Sequence, residues 1–369
     1  MRLIDQHCHS VVHDDLPDPA FASLLTESDR PPADGTSPWD SSLGLAVRRW
    51  CPPLLDLDPY PSPGDYLDRR RELGPAESTR RLLRGAGLET CCIDTGLDTA
   101  AGAALLSLDG FATASGSAVR EVVRLEQIAE QASPGSSAAT WAGQVDAALA
   151  AAVRDRRAVA VKSVLAYRHG LDITATRPAP AEVANAASEY LSAAERHGSL
   201  RLDHPVLLRH LLWTAVDLGL PIQLHTGFGD PDLTLHRADP SLLTDFVRAV
   251  EPHGVPLVLL HCYPYHRQAA WLAQSFPHVY CDLGLTLGHT GLGARPVLAE
   301  TLELAPYGKV LFSTDAFGLP ELYVVGVAAF RDAVAAWTAA LHATGCPAPD
   351  SDRLAALIGA DNSRRLYGL

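Results

Sequence analysis

The sequence predicts an α/β protein, specifically a (β/α)8 TIM barrel with a proline-rich insertion after its first strand. Three observations carry that expectation: eight short apolar runs of strand character, amphipathic helical segments between most of them, and metal-ligand residues at the C-terminal tips of several runs. The runs are Arg2–His7, Leu88–Asp94, Val119–Leu125, Ala158–Leu165, Pro221–His225, Val255–His261, His278–Asp282 and Lys309–Thr314. Helical patterns cover Thr140–Arg156, Ala181–Arg196, Val206–Leu218, Pro240–Val250, Arg267–Ser275, Arg295–Leu304, Glu321–Leu341 and Asp352–Leu366. Strands alternating with helices imply parallel strands joined by crossovers, and eight such units favour a closed barrel over an open sheet. A single domain over residues 1–369 is expected.

Residues 14–75 break the alternation. They hold 11 of the 27 prolines and no clean periodicity. A connection after a barrel strand lies on the catalytic face, so this segment is expected to form a cap or lid. Trp39, Trp50, Tyr60 and Tyr66 argue against the alternative of a disordered excursion. Residues 133–138 read as a plain surface loop.

Composition narrows the class of partner. A net charge of −13 repels a phosphate backbone, so nucleic acid is not an expected partner. Seven cysteines, an odd number without a CxxC pair, do not form a disulfide framework and point to a reducing, cytoplasmic compartment. Cys8, Cys91, Cys92, Cys262 and Cys281 are expected to be buried apolar residues of strands. The N-terminus shows no signal-peptide pattern, and no apolar run is expected to reach the roughly 18–20 residues that span a bilayer. The expected partner is a small-molecule substrate, with a homodimer as a further expectation.

The chemistry starts at Ile4-Asp5-Gln6-His7-Cys8-His9. Alternate residues of a strand point to one side, so His7 and His9 form a chelating pair for Zn2+, Mn2+ or Fe2+. His225, His261 and Asp315 each end or directly follow an apolar run. A polar side chain at the tip of a buried strand is costly unless it is paired or ligated, and in a barrel those tips converge. A divalent cation held there lowers the pKa of water from 15.7 towards about 7. Asp315 or His261 then moves the proton. Asp5 either orients a ligand or merely belongs to the strand end.

Ile4-Asp5-Gln6-His7-Cys8-His9, Leu-His-Thr-Gly at 224–227, Leu-Leu-His-Cys at 259–262, Ser-Thr-Asp-Ala at 313–316 and the closing Asn362-Ser-Arg-Arg-Leu-Tyr-Gly368 together resemble the amidohydrolase superfamily, in its amidohydrolase-2 branch. Val161-Lys162-Ser163 and Ala166-Tyr167-Arg168-His169-Gly170-Leu171 are similar to the subgroup fused to glutamine synthetase-like domains, of which this chain is expected to be a free-standing version. The resemblance implies that His7, His9, His225 and Asp315 bind the metal, Zn2+ first among the candidates. It implies that His261 handles protons in mononuclear members or binds a second metal in binuclear ones. Lys162 is then a carboxylated bridge to a second metal, an ammonium holding a substrate carboxylate, or a lysine reaching the barrel rim. Substrate contacts are expected from Tyr167, Arg168, His266 and Arg267, with Tyr263 and Tyr265 beside them. Arg124 with Glu126, and Arg48 with Arg49 in the insertion, are further candidates.

The expected activity is hydrolysis of a C–N amide bond in a small carboxylate-bearing molecule, a γ-glutamyl amide being the favoured example. A metal-dependent non-oxidative decarboxylase is the alternative, with sugar-acid isomerases a further relative. A non-catalytic metal-binding barrel is the third reading. The fold alone does not choose among them.

Overall fold

Strands buried on both faces need apolar side chains on both sides, and the short runs of this chain supply them. The computed structural model describes residues 1–198 and 200–369. Eight strands form one sheet in sequential order, β1 (Ile4–Cys8), β2 (Thr90–Asp94), β3 (Ala118–Arg124), β4 (Ala160–Ser163), β5 (Ile222–Thr226), β6 (Leu257–His261), β7 (Val279–Asp282) and β8 (Val310–Leu311). This is the (β/α)8 TIM barrel that the sequence predicts, and each strand falls within a residue or two of its expected run, except that β8 is shorter. The chain after β8 leaves regular strand geometry before Asp315, whose φ of 53° no strand accommodates.

Contacts along the chain define two compact units. The first comprises Met1–Arg120, Gly229–Pro231 and Asp282–Leu369. Here β1 pairs in parallel with β2, Ile4 opposite Thr90 and Asp5 opposite Cys91. On its other side β1 meets the chain around β8: the Gln6 amide donates to the Phe312 carbonyl (3.1 Å) and the Asp315 amide to the His7 carbonyl (3.1 Å). The closing helical motif has a clear task. Buried Asn362 donates through Nδ2 to the carbonyls of Tyr307 (2.7 Å) and Val310 (2.8 Å), fixing the entry into β8.

The insertion 14–75 is folded, with helices at Asp18–Ser23, Ser42–Trp50 and Pro63–Leu73. Its absence of periodicity is explained by short elements held by specific contacts. Phe21 stacks on Trp39 at 5.4 Å, and the Arg70 guanidinium lies 5.0 Å over the Phe21 ring. Arg70 Nε then meets Glu321 Oε1 at 2.7 Å, and the Tyr66 hydroxyl donates to the same oxygen at 2.8 Å. Arg70 is 5% exposed as a side chain and Glu321 is 0% exposed, so the insertion is tied to the helix Pro320–Ala343 by a buried charge pair. Of the four aromatics, Trp39 and Tyr66 are buried, whereas Tyr60 is exposed.

The helix Pro320–Ala343 corrects one sequence expectation. Its 24 residues and mean hydropathy of 1.4 make it long and apolar enough to cross a membrane by length and composition. Within the unit it is a core helix: Tyr323, Val325 and Phe330 are buried, and Phe330 packs on Phe312 at 4.5 Å between ring centroids. A Cβ on Gly326 would come within 2.9 Å of Thr314 Cγ2, so the glycine lets the helix approach the chain beside Asp315.

The second unit comprises Glu121–Phe228 and Asp232–Cys281. Its strands β3 to β7 pair in parallel in strict sequence, with Lys162 opposite both Arg124 and Gln223, and Thr226 opposite His261. Helices Leu125–Ala132, Trp141–Asp155, Pro180–His197, Pro205–Leu218, Thr244–Val250 and His266–Ser275 supply the crossovers. The five cysteines expected in strands are all free and buried.

Removing one partner of a buried ion pair leaves the other charge without compensation. Arg70→Met is expected to destabilise the protein by about 3–5 kcal/mol, and Arg70→Met combined with Glu321→Leu is expected to recover part of that loss. Denaturant unfolding of the three proteins checks this; a double variant no more stable than Arg70→Met counts against the charge-pair explanation.

Candidate functional site

His7 and His9 leave β1 on one side, as strand geometry requires, and both imidazoles meet one carboxylate. His7 Nε2 lies 3.0 Å from Asp315 Oδ1 and His9 Nε2 lies 3.5 Å from the same atom. The tautomer of His9 follows from its other nitrogen. Nδ1 is 3.2 Å from the Asp94 carbonyl oxygen, which only accepts, so Nδ1 carries a hydrogen and Nε2 is the nitrogen turned to Asp315. Two imidazole nitrogens and a carboxylate oxygen are the donor set that Zn2+, Mn2+ and Fe2+ accept, so the residues fit a divalent metal.

Asp94, at the end of β2, was not among the candidates. One ligand atom each from His7, His9 and Asp94 lie within 4.8 Å of one another. The rule that selected His225 and Asp315, a ligand-type residue at a strand tip, selects Asp94 equally.

Asp5 binds the residue that precedes Asp315. Its carboxylate accepts from the Thr314 amide (2.9 Å) and the Thr314 hydroxyl (2.5 Å), one residue before Asp315. Burial pushes the Asp5 carboxyl up to about 8, against the two Thr314 hydrogen bonds that lower it. Below the same strand, the Gln6 amide nitrogen donates to Asp282, Ser313 donates to that carboxylate at 2.6 Å, and Tyr367 donates to Gln6 at 2.5 Å. The Tyr323 hydroxyl donates to the His9 carbonyl.

The charge of Asp315 bears on two further groups in this unit. Glu27 comes from the insertion and His289 from the short helix Thr286–Thr290. His289 Nε2 and Glu27 Oε1 are 3.5 Å apart. Burial, then the negative charges of Asp315 and Asp230, push the Glu27 carboxyl up to about 8. Burial holds the His289 imidazole down at about 4, opposed by Asp315. Neither residue carries a sequence signal, since neither ends a strand.

In the second unit, His225 and His261 lie at the ends of β5 and β6, 4% and 0% exposed, with ring centroids 4.6 Å apart. His225 Nε2 faces the Phe228 carbonyl at 3.2 Å and therefore carries the hydrogen, leaving Nδ1 as an electron-pair donor. Tyr167 lies against it, 4.4 Å between centroids. His261 and Cys262 both hold positive φ, 68° and 65°. Such backbone costs roughly 1–3 kcal/mol per residue and persists where the surroundings enforce it. Gly227 after the Leu-His-Thr motif is required: its φ is 80°, and a Cβ there would sit 2.3 Å from the Tyr263 carbonyl oxygen.

The other candidates divide. Lys162 is 2% exposed, which removes the reading of a lysine reaching solvent at the rim. Arg168 is engaged by Glu130 at 2.8 Å, the structural alternative to a substrate fork. His266 is buried and stacks on Tyr263 at 5.8 Å, while Arg267 is exposed. Glu126 accepts from Ser163 (2.6 Å) and the Val164 amide (3.1 Å). Arg48 donates to the Pro61 carbonyl at 2.8 Å and Arg49 covers Trp50, so both hold the insertion's own structure.

A barrel with histidine and aspartate donors at its strand ends is an arrangement suited to metal-dependent chemistry. Residues 123–369 match the family profile described as Amidohydrolase, and the chain belongs to that family. It is 36% identical over 194 residues to protein fluG of Emericella nidulans, half of this chain and 22% of that relative, so it spans about a fifth of the relative's length. A crystal structure from Lactobacillus casei, assigned as a metal-dependent hydrolase, superposes with a TM-score of 0.83 at 29% identity, covering 100% of this chain and 95% of that one. Glucuronate isomerase of Caulobacter crescentus, at 16% identity and a TM-score of 0.65 over 100% of this chain and 91% of that one, shares the fold.

Residues that orient metal ligands typically contribute 10–100-fold to metal affinity. Thr314→Val, which removes the hydroxyl from Asp5, is expected to weaken zinc binding by about 10-fold or more. Competition titration against a chromophoric chelator measures this; unchanged affinity would mean that the Asp5–Thr314 contact serves only the fold.

Proposed function

We propose that this amidohydrolase-family enzyme cleaves a C–N amide bond of a small carboxylate-bearing molecule, a γ-glutamyl amide being the favoured substrate. The observation that carries it is the approach of the His7 and His9 Nε2 atoms to one oxygen of Asp315, at 3.0 and 3.5 Å. A divalent cation, Zn2+ first among the candidates, would supply Lewis acidity and make water acidic near neutral pH. His7, His9 and Asp315 would hold it, with Asp94 in reach of the same histidines. The assignment of His225 as a fourth ligand and of His261 as proton carrier rests on their places at the ends of β5 and β6 and on the family's motif order.

Asp315 is suited to accept a proton from the attacking water. Thr314, clamped by Asp5, fixes the backbone from which its carboxylate projects. The proton would then pass to the departing amine, completing addition of water across the amide: a C–O bond forms and the C–N bond breaks. His261, wholly buried, is the candidate for that transfer. Buried Lys162 serves either as a carboxylated second-metal bridge or as an ammonium for the substrate carboxylate. The free, buried cysteines suit a reducing compartment such as the cytoplasm.

Zinc-loaded protein assayed against γ-glutamyl amides and N-acyl amino acids is expected to release amine. His7→Ala and Asp315→Asn are expected to lose at least about 10³-fold in kcat/KM together with bound metal. His261→Asn is expected to keep its metal and lose roughly 10²–10⁴-fold in turnover. Elemental analysis beside the kinetics separates the two classes. Full turnover by His7→Ala sinks the metal site, and CO2 release from an aromatic acid without amide cleavage replaces the hydrolase by the decarboxylase.

A further inference from the structure

The helix Leu125–Ala132 carries two carboxyl groups that the catalytic assignment leaves unused. Glu126 and Glu130 stand one turn apart, so both leave the same face of the helix. Both reach the chain that follows β4. Glu126 Oε1 accepts from the Ser163 hydroxyl (2.6 Å) and the Val164 amide (3.1 Å), and Ser163 Oγ accepts in turn from the Leu165 amide (3.1 Å). Glu130 Oε1 meets Arg168 Nη1 at 2.8 Å and accepts from the Leu202 amide at 2.7 Å. Between these holds lies one short helix, Leu165–Arg168. Glu126 grips the turn that enters it, Glu130 grips its last side chain, and Arg201 Nη2 donates to the Tyr167 carbonyl at 3.3 Å. Glu126 is 1% exposed, and burial pushes its carboxyl pKa up against its hydrogen bonds. A carboxyl group that deep is costly unless it is hydrogen-bonded. Its partners here are a hydroxyl and an amide of one turn, so what it fixes is the backbone leading out of β4.

That backbone carries Tyr167. Its ring centroid lies 4.4 Å from that of His225 at the end of β5, and His225 lies 4.6 Å from His261 at the end of β6. Leu165 and Ala166 are buried, whereas Tyr167 is half-buried. The guanidinium of Arg168 is turned to Glu130. We infer that Glu126 and Glu130 are positioning residues that hold Tyr167 against His225, and that Tyr167, not Arg168, is the side chain through which this segment meets substrate. A phenol donates one hydrogen bond, so the substrate group met here is a single oxygen acceptor and not a carboxylate held at both oxygens by a guanidinium. The positioning stands on geometry alone; the contact with substrate rests on the hydrolase reading.

The test reads His225 by NMR in zinc-loaded full-length protein whose histidines carry carbon-13 at Cε1, its resonance assigned by its loss in His225→Gln. Tyr167→Leu is expected to shift that resonance, because the ring current of the neighbouring phenol is removed. Glu126→Leu, which deletes both hydrogen bonds, is expected to shift it in the same direction and to add nothing in the Tyr167→Leu background. Glu126→Gln, whose amide oxygen still accepts both, is expected to leave it in place. Kinetics on the γ-glutamyl amides give the second readout: Tyr167→Leu is expected to raise KM by about tenfold. Glu126→Leu and Arg168→Met are expected to raise KM in the wild type and not further in the Tyr167→Leu background. Thermal melting establishes that each variant is folded; should Glu126→Leu fail to fold, Ser163→Ala takes its place with the same expectation. An unmoved His225 resonance in Glu126→Leu and Ser163→Ala, or a shift that adds to that of Tyr167→Leu, overturns the positioning. A further rise in KM from Arg168→Met in the Tyr167→Leu background makes the arginine the substrate contact and overturns the assignment to Tyr167. Absence of amide turnover in the wild type, with the resonance behaving as expected, overturns the hydrolase reading and the substrate contact with it, and leaves the positioning standing.

Discussion

The amide of Asp315 donates to the carbonyl of His7, and the amide of His9 donates to the carbonyl of Ala316. Through these two backbone bonds the first strand and the segment after the last one are laid side by side in fixed register. A shift of one residue in that register would turn His7 and His9 away from Asp315 and bring Gln6 and Cys8 in their place. The approach of both imidazoles to Asp315 depends on this pairing. Asp5 reinforces it from inside by gripping the amide and the hydroxyl of Thr314, and Asn362 reinforces it from outside by holding the chain that enters β8. The alternate side of β1 is no less committed, since Gln6, Asp282, Ser313 and Tyr367 form a connected buried set. Polar groups buried in such numbers are tolerable because each donor meets an acceptor.

The register also explains why strain collects where it does. Asp315 and His261 both adopt positive φ at the ends of strands, a conformation that costs side-chain-bearing residues free energy. A strand continuing straight would send each side chain to one face or the other of the sheet. The left-handed turn ends that alternation at both residues. The hydrogen bonds on either side of Asp315 and the parallel pairing of Thr226 with His261 hold these conformations in place.

The sequence made the barrel legible because its strands are short, apolar on both faces and separated by helices of the right length. The clustering of His7, His9 and Asp315 was legible for a related reason: polar side chains at the ends of apolar runs are costly unless they meet partners, and in a barrel those ends converge. Asp94 obeys the same rule but belongs to none of the motifs that carry the resemblance. Arg168 was harder to read, as an arginine after a strand looks alike whether it awaits a substrate or meets Glu130, 38 positions earlier in the chain. The insertion was least legible. Its order comes from contacts such as Arg70 to Glu321, separated by most of the chain, and local pattern carries no trace of them.

That long-range anchoring bears on how a barrel of this family acquires its own substrate. The strands fix the metal donors, and their side chains have little freedom to vary without losing the cation. A segment outside the strand–helix repeat has that freedom, provided it is held firmly enough to present a side chain in a constant place. Stacking of Phe21 on Trp39, the guanidinium of Arg70 above Phe21 and the buried carboxylate of Glu321 beneath supply that firmness within residues 14–75. The strand-end residues and the insertion can in this way be altered independently, which is the physical basis on which one fold serves many reactions.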